Sequence, residues 1–193
     1  MKYGLIGKPL GHSFSREIHA LIADYDYRLL EIDEDELPRF FQERDFSGIN
    51  VTIPYKQAVI PFLDEISDEA KKIGAVNTIV KKAGKLFGFN TDFFGMRALI
   101  KSTGLDLENK TVLILGTGGT SKTAVEVSKS LGATEIVKVS RKKSSDTATY
   151  DEAYEKYSGA DVIINTTPVG MFPNADKTPV DIKKFKNLQG VID

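Results

Sequence analysis

Residues 111–132 read TVLILGTGGTSKTAVEVSKSLG, and this stretch restricts the fold more than any other. Val112 to Leu115 form an unbroken apolar run, a glycine turn follows, and Ala124, Val127 and Leu131 recur at helical spacing up to Gly132. A strand that is apolar on both faces needs helices over both faces, as an inner strand of a parallel sheet has. Gly116 permits a tight turn, and Gly118 lets a pyrophosphate approach the N–H groups that open the helix. Ser121 stands at the third glycine of the G-x-G-x-x-G pattern, so the match is partial and a plain glycine-rich loop is the alternative.

The same alternation of strand and helix runs through the chain. KYGLIG precedes SREIHALIADY, where Ile18, Leu21, Ile22 and Tyr25 fall at helical spacing. YRLLEID reads as a second strand, and DELPRFFQERD as a helix with Leu37, Phe40 and Phe41 on its inner face. GINVTIP is a third strand, followed by helical YKQAVIPFLD and DEAKKIG. AVNTIVKKAGKLFGFN has the pattern of a hairpin turning at Lys82-Ala83-Gly84, and DFFGMRALIKSTG that of a helix ending at Gly104. EIVKVS, DVIINTTP and GVID supply strands around and beyond the glycine turn. Such alternation predicts parallel sheets with helices on both faces. A boundary near Asp92 gives two α/β domains, residues 1–92 and a Rossmann-type, doubly wound and mostly parallel domain over 93–193.

Composition removes several classes of function. A formal net charge of −1 gives no electrostatic case for nucleic acid or an anionic membrane. No apolar run approaches the ~20 residues that span a bilayer, and the opening MKYGLIGKPLGHS is too short in apolar residues for a signal peptide. Cysteine is absent, which removes disulfides, thiol nucleophiles and thiolate metal sites. His12 and His19 stand seven positions apart, which is not the spacing of a metal pair. The expected compartment is the cytoplasm.

The candidate chemistry lies at strand ends. After EIVKVS come Arg141, Lys142 and Lys143, with no acid before Asp146. A dinucleotide fold that prefers NAD places an acid there for the ribose 2′-hydroxyl, whereas a guanidinium suits the 2′-phosphate of NADP(H). The alternative is a solvated basic loop. In GINVTIPYK, strand parity sets Asn50 and Thr52 on one face and Ile49, Val51 and Ile53 on the other. Continued, that parity brings Lys56 to the polar side just past the strand, where ligands bind in parallel α/β sheets. A strand with one solvated face would read the same way. Ser13 and Ser15 in GHSFS sit where a helix begins and can hold a carboxylate or simply cap the helix. Thr91 and Asp92 in GFNTDFFG open the helix at the domain boundary, where Asp92 too could be an N-cap.

GHSFS with the later His19, GINVTIPYK, GAVNT, GFNTD, GTGG, the basic SRK and NTTPVGM occur in the order found in shikimate dehydrogenases, which the chain resembles along its whole length. The resemblance implies reversible, NADP(H)-dependent reduction of 3-dehydroshikimate to shikimate, with a small-molecule substrate and a monomeric or homodimeric enzyme. It implies Lys56 and Asp92 as the catalytic pair, and Ser13, Ser15 and Thr52 on the substrate carboxylate. Asn50, Asn77, Thr91 and Asp92 fall to the rest of the substrate. Gly116, Thr117, Gly118, Gly119, Thr120, Ser140, Arg141 and Lys142 fall to the cofactor, as do Thr166 and Met171 of NTTPVGM and the acidic Asp68. Alternatives are an NAD-using quinate/shikimate dehydrogenase and a shortened, non-catalytic relative that binds ligand. The family usually has proline at Arg16 and asparagine at Ala20, positions that do not carry the reaction. It also continues past VID with further substrate- and cofactor-binding residues, so a fragment of a longer chain is expected. A doubly wound domain has about six strands, and four or five are legible here.

Overall fold

The structure, a computed structural model, describes residues 2–11, 13–172 and 175–193. It divides into two compact units, Met1–Thr91 and Asp92–Asp193.

The first unit holds strands β1 (Tyr3–Gly7), β2 (Tyr27–Glu31), β3 (Gly48–Val51), β4 (Glu65–Ile66), β5 (Thr78–Lys82) and β6 (Lys85–Phe89), with helices α1 (Ser15–Ile22), α2 (Leu37–Glu43) and α3 (Asp68–Ile73). The strands form one sheet in the order β2-β1-β3-β5-β6-β4. β1 is parallel to β2 and β3, but β5 is antiparallel to both of its neighbours. This sheet is therefore mixed, not parallel as the alternation predicts. One of the two pairings has a local cause: Ala83 (φ 50°) and Gly84 (φ 78°) make a two-residue turn, and a loop that short joins β5 to β6 only antiparallel; β5 against β3 is set by strand order.

One face of this sheet carries Ile6, Ile49, Val51 and Ile79 into a core with Leu37, Phe41 and Phe46. The other face buries Leu5, Leu10 and Tyr27. Asn50 is in register with Leu5 and so lies on the second face, as alternation requires.

Two expectations fail in this unit. β3 stops at Val51, and Ile53, expected to pack inward, is 73% exposed. YKQAVIPFLD makes turns and a short 3-10 helix, Ile60–Phe62, instead of an α-helix. Pro61 has no N–H to give an α-helix, and β-branched Val59 and Ile60 crowd its turn. In α1, Ile18, Leu21 and Ile22 are exposed and no residue of the helix is buried. Instead α1 meets the sheet through His19, stacked on Tyr27.

The helix α4 (Thr91–Ser102) precedes β7 (Thr111–Leu115), α5 (Gly119–Ser130), β8 (Glu135–Val139), β9 (Thr147–Ala148), α6 (Tyr150–Lys156), β10 (Val162–Asn165) and β11 (Gly190–Ile192). The sheet of the second unit is wholly parallel, in the order β11-β10-β7-β8-β9. Leu113, Leu115, Val139 and Ile163 pack with Ala153 of α6, Val180 and Phe185. The chain runs outward from β7 through β8 to β9, then returns to β10 on the other side of β7. The C-terminal end of β7 is thus the topological switch point, where such sheets bind ligands. The sequence reading had no place for α6, β4 or β9. Among the described residues, no helix is long and apolar enough to cross a membrane.

Candidate functional site

In the first unit the polar residues of GINVTIPYK, GAVNT and GFNTD meet at one end of the sheet. Because β5 is antiparallel to β3, its first residue, Thr78, lies in register with Asn50. The Asn50 amide donates from Nδ2 to Thr78 Oγ1 at 3.3 Å. Thr78 donates to Asn77 Oδ1 at 3.1 Å, and that oxygen also accepts from the Thr91 N–H at 2.8 Å and the Thr91 hydroxyl at 3.2 Å. Asn50, Asn77 and Thr91, singled out in the sequence, are joined in one hydrogen-bonded run. Thr78, its central link, was missed, although it stands beside Asn77 in GAVNT.

Tyr27 was missed as well. Its hydroxyl donates to Asn50 Oδ1 at 2.7 Å. Burial, with the Tyr25 hydroxyl adding to it, pushes the Tyr27 phenol up to about 12, against a hydrogen bond from the Ser15 side chain. Tyr27 therefore stays a neutral donor at any physiological pH. Nothing in the sequence near Tyr27 marks it, because its partners are far along the chain.

The remaining residues of this wall are set by turns. Thr52 lies one residue past β3, and its N–H donates to Ile6 O at 2.9 Å. A Cβ on residue 7 would come within 2.4 Å of Thr52 Cγ2, so only glycine fits beside it at Gly7. Lys56 is placed by a turn and not by strand parity: Tyr55 N–H donates to Thr52 O at 2.9 Å, and Lys56 O accepts from Val76 N–H at 2.7 Å. That second bond ties Lys56 to the residue before Asn77.

The α1 N-cap position belongs to Phe14, which makes no side-chain cap bond; Ser13 Oγ accepts from the N–H of Ser15, the first residue of α1, at 3.3 Å. His12 of the same motif lies outside the described residues. Asp68 opens α3 and pairs with Lys71 at 3.5 Å on the surface. Asp92 lies in the first turn of α4 rather than at its cap.

The second unit builds its site from backbone. Gly116 has φ +104°, and a Cβ there would come within 2.9 Å of Thr166 Oγ1 and 3.1 Å of Thr167 Cγ2. Thr166 closes on the turn by donating its hydroxyl to Leu115 O at 2.6 Å. Gly118 is the N-cap of α5, and Thr117 to Thr120 are exposed, so the first N–H groups of α5 face open space. Ser121, where the third glycine would be, is buried, and its hydroxyl has no hydrogen-bond partner among the described residues. A cavity of ≈ 560 Å³ adjoins the turn, lined by Thr120, Asn165, Thr166, Thr167 and Met171 among others. This open cradle of N–H donors fits a dinucleotide pyrophosphate.

The basic loop sorts its cations. Lys143 pairs with Glu152 and Lys138 with Asp146. Lys142 N–H donates to Ser140 Oγ at 3.3 Å. Arg141 and Lys142 are exposed, with no ion pair among the described residues. Such exposed cations could hold a phosphate.

An α/β unit with an amide- and hydroxyl-lined sheet end, joined in sequence to a parallel unit with a glycine turn at its switch point, has the makeup of a two-domain protein of the dinucleotide-binding class. Comparison with known proteins narrows this. Residues 5–79 match the family model described as the shikimate dehydrogenase substrate binding domain. The chain is 40% identical over 206 residues to the shikimate dehydrogenase (NADP(+)) of Clostridium beijerinckii, covering 99% of this chain and 76% of that one. Its fold matches a chorismate mutase/shikimate 5-dehydrogenase fusion protein from Clostridium acetobutylicum with a TM-score of 0.87 and 35% identity, over 98% of this chain and 75% of that one. It also matches the shikimate 5-dehydrogenase of Thermus thermophilus in complex with NADP(H) and shikimate, with a TM-score of 0.83 and 29% identity, over 99% of this chain and 77% of that one. The chain belongs to the shikimate dehydrogenase family.

Proposed function

We propose that this chain catalyses the reversible reduction of 3-dehydroshikimate to shikimate with NADP(H), residues 1–92 binding the substrate and 93–193 the cofactor. The observation that carries this reading is the run Asn50–Thr78–Asn77–Thr91, whose amides and hydroxyls suit a polyhydroxylated ring. The NAD-using alternative is not favoured: Arg141 and Lys142 stand where an acid would be, and the Clostridium beijerinckii relative is named as an NADP(+) enzyme.

Bound cofactor supplies the hydride that goes to the ketone carbon. The carbonyl oxygen then gains charge, which the Lys56 ammonium stabilises before giving it a proton, so that ketone, hydride and proton become a secondary alcohol. Asp92 orients Lys56 and the reacting hydroxyl and exchanges protons with them; in the reverse direction neutral Lys56 takes back the hydroxyl proton as hydride leaves. Ser13, Ser15 and Thr52 hold the substrate carboxylate. Asn50, Asn77, Thr91 and Asp92 bind ring oxygens. Gly116, Thr117, Gly118, Gly119 and Thr120 cradle the pyrophosphate, and Ser140, Arg141 and Lys142 grip the 2′-phosphate. Thr166 and Met171, which line the cavity at the glycine turn, fall to the cofactor, as does Asp68. The same reading carries the expectation of a cytoplasmic enzyme, monomeric or homodimeric.

Asp92→Asn tests it. Losing a first-turn carboxylate costs a helix only about 0.3–1 kcal/mol, whereas loss of a proton-handling group lowers kcat by about 10²–10⁴. Thermal unfolding and kcat measured on the same sample should come apart. Full turnover in a folded Asp92→Asn protein would overturn the assignment.

A further inference from the structure

The hydrogen-bonded run in the first unit starts at Tyr27, a residue 6% exposed and stacked on His19 at 3.8 Å between ring centroids. An asparagine amide has an acceptor end and a donor end of nearly the same shape, so a neighbour must decide which way it points. At Asn50 the neighbour is the Tyr27 hydroxyl, donating to Oδ1 at 2.7 Å. The acceptor end is thereby taken, and Nδ2 turns toward Thr78 Oγ1.

Thr78 has a single hydroxyl hydrogen. Having accepted from Asn50, it passes that hydrogen to Asn77 Oδ1. The same oxygen collects the N–H and the hydroxyl of Thr91. With three donors on Oδ1, Asn77 keeps its own Nδ2 group for other partners and has none among the described residues. Both amides so have N–H groups to spare, and their acceptor oxygens are occupied.

We propose that Tyr27 is a positioning residue that, without touching the ligand, sets the direction of every hydrogen bond from Asn50 to Asn77, so that the site offers N–H donors to oxygen atoms on the substrate ring. This rests on the reading of the first unit as the shikimate site. It also makes Tyr27 a determinant of specificity: a ring lacking the oxygen that the amides read gains nothing from their orientation.

The test is calorimetric titration of the full chain with shikimate and with each of its monodeoxy analogues. The wild-type protein should bind shikimate about tenfold more tightly than at least one analogue, the difference expected of one well-made hydrogen bond. Tyr27→Phe keeps the ring and its stack on His19 but removes the hydroxyl. It should weaken shikimate by about tenfold and that analogue by less than about twofold, so that discrimination collapses. NADP+ affinity should not move. Thr78→Val breaks the same run one link later and should give the same collapse, which keeps the test open if Tyr27→Phe folds poorly. Equal weakening of all ligands would mean a merely structural role and would overturn the proposal. So would unchanged shikimate affinity in both folded variants, with the proposed function left standing. Failure of the wild-type chain to bind shikimate at all would overturn both.

Discussion

The two units bring distant residues to one sheet end in different ways. In the second, every strand is parallel, so the segments following β7, β10 and β11 share an edge automatically, and the turn at Gly116 presents backbone N–H groups there. In the first, β5 runs against β3, which sets the start of one strand beside the end of another. Side chains rather than backbone then meet, and they lock through Asn50, Thr78 and Asn77. A parallel sheet suits a ligand held by charge and backbone; a mixed sheet can present a fixed pattern of side-chain donors.

That contrast can be broken most severely at Lys56. Lys56→Ala should lower kcat by about 10²–10⁴ while NADP+ affinity stays level; a parallel loss of cofactor binding, read by fluorescence titration, would erase the division of labour. Arg141→Ala should act on the other side. Loss of a charge-assisted contact costs about 1.5–3 kcal/mol, and it should fall on NADP(H) while NAD(H) and shikimate titrate as before. Equal curves for both cofactors would refute the 2′-phosphate role. Gly116→Ala should cost about 1–3 kcal/mol, because residue 116 sits at φ +104° with Thr166 Oγ1 2.9 Å from the added Cβ. Its readouts are NADP+ affinity and thermal unfolding, with shikimate affinity unchanged.

The smallest effects are in pH, and they too separate the units. Hydrogen bonds from Lys143, Lys156 and the Thr149 N–H hold the Glu152 carboxyl at about 2, below its ordinary 4.5. A lowered carboxylate stabilises the fold above its unfolded value and loses that contribution as pH falls through the folded one. Glu152→Gln should therefore flatten part of the acid unfolding curve between about 4.5 and about 2. Tyr27 works in the opposite sense. Its phenol is raised from 10.0 to about 12, so its contribution is complete below 10.0 and lost as pH rises through about 12. Tyr27→Phe should flatten part of the alkaline limb, and no change there on calorimetric scans would contradict the burial of Tyr27.

Much of this was legible, and the failures share a cause. The hairpin at Ala83-Gly84, the glycine turn and the polar side of GINVTIPYK were all readable, because backbone sign and side-chain alternation are local properties. The helix α6 was readable too and was missed: Thr149 and Glu152 form a capping box, with Thr149 Oγ1 accepting from Glu152 N–H at 3.2 Å. Strands β4 and β9 have two residues each, too few to show a period. In α1 the apolar spacing is real but did not predict burial, since spacing says which residues share a face and not what covers it.

By itself the sequence determined most of the longer elements, the glycine turns that join them and the kinds of side chain at their ends. These follow from φ preferences and from periods of two and 3.6 residues, which need only near neighbours. Only the tertiary structure decided that β5 lies antiparallel beside β3, that Lys56 follows a turn instead of strand parity, and that Tyr27 reaches Asn50. The bonds Tyr27–Asn50 and Asn50–Thr78 join residues 23 and 28 positions apart, and strand order alone determines whether such residues meet.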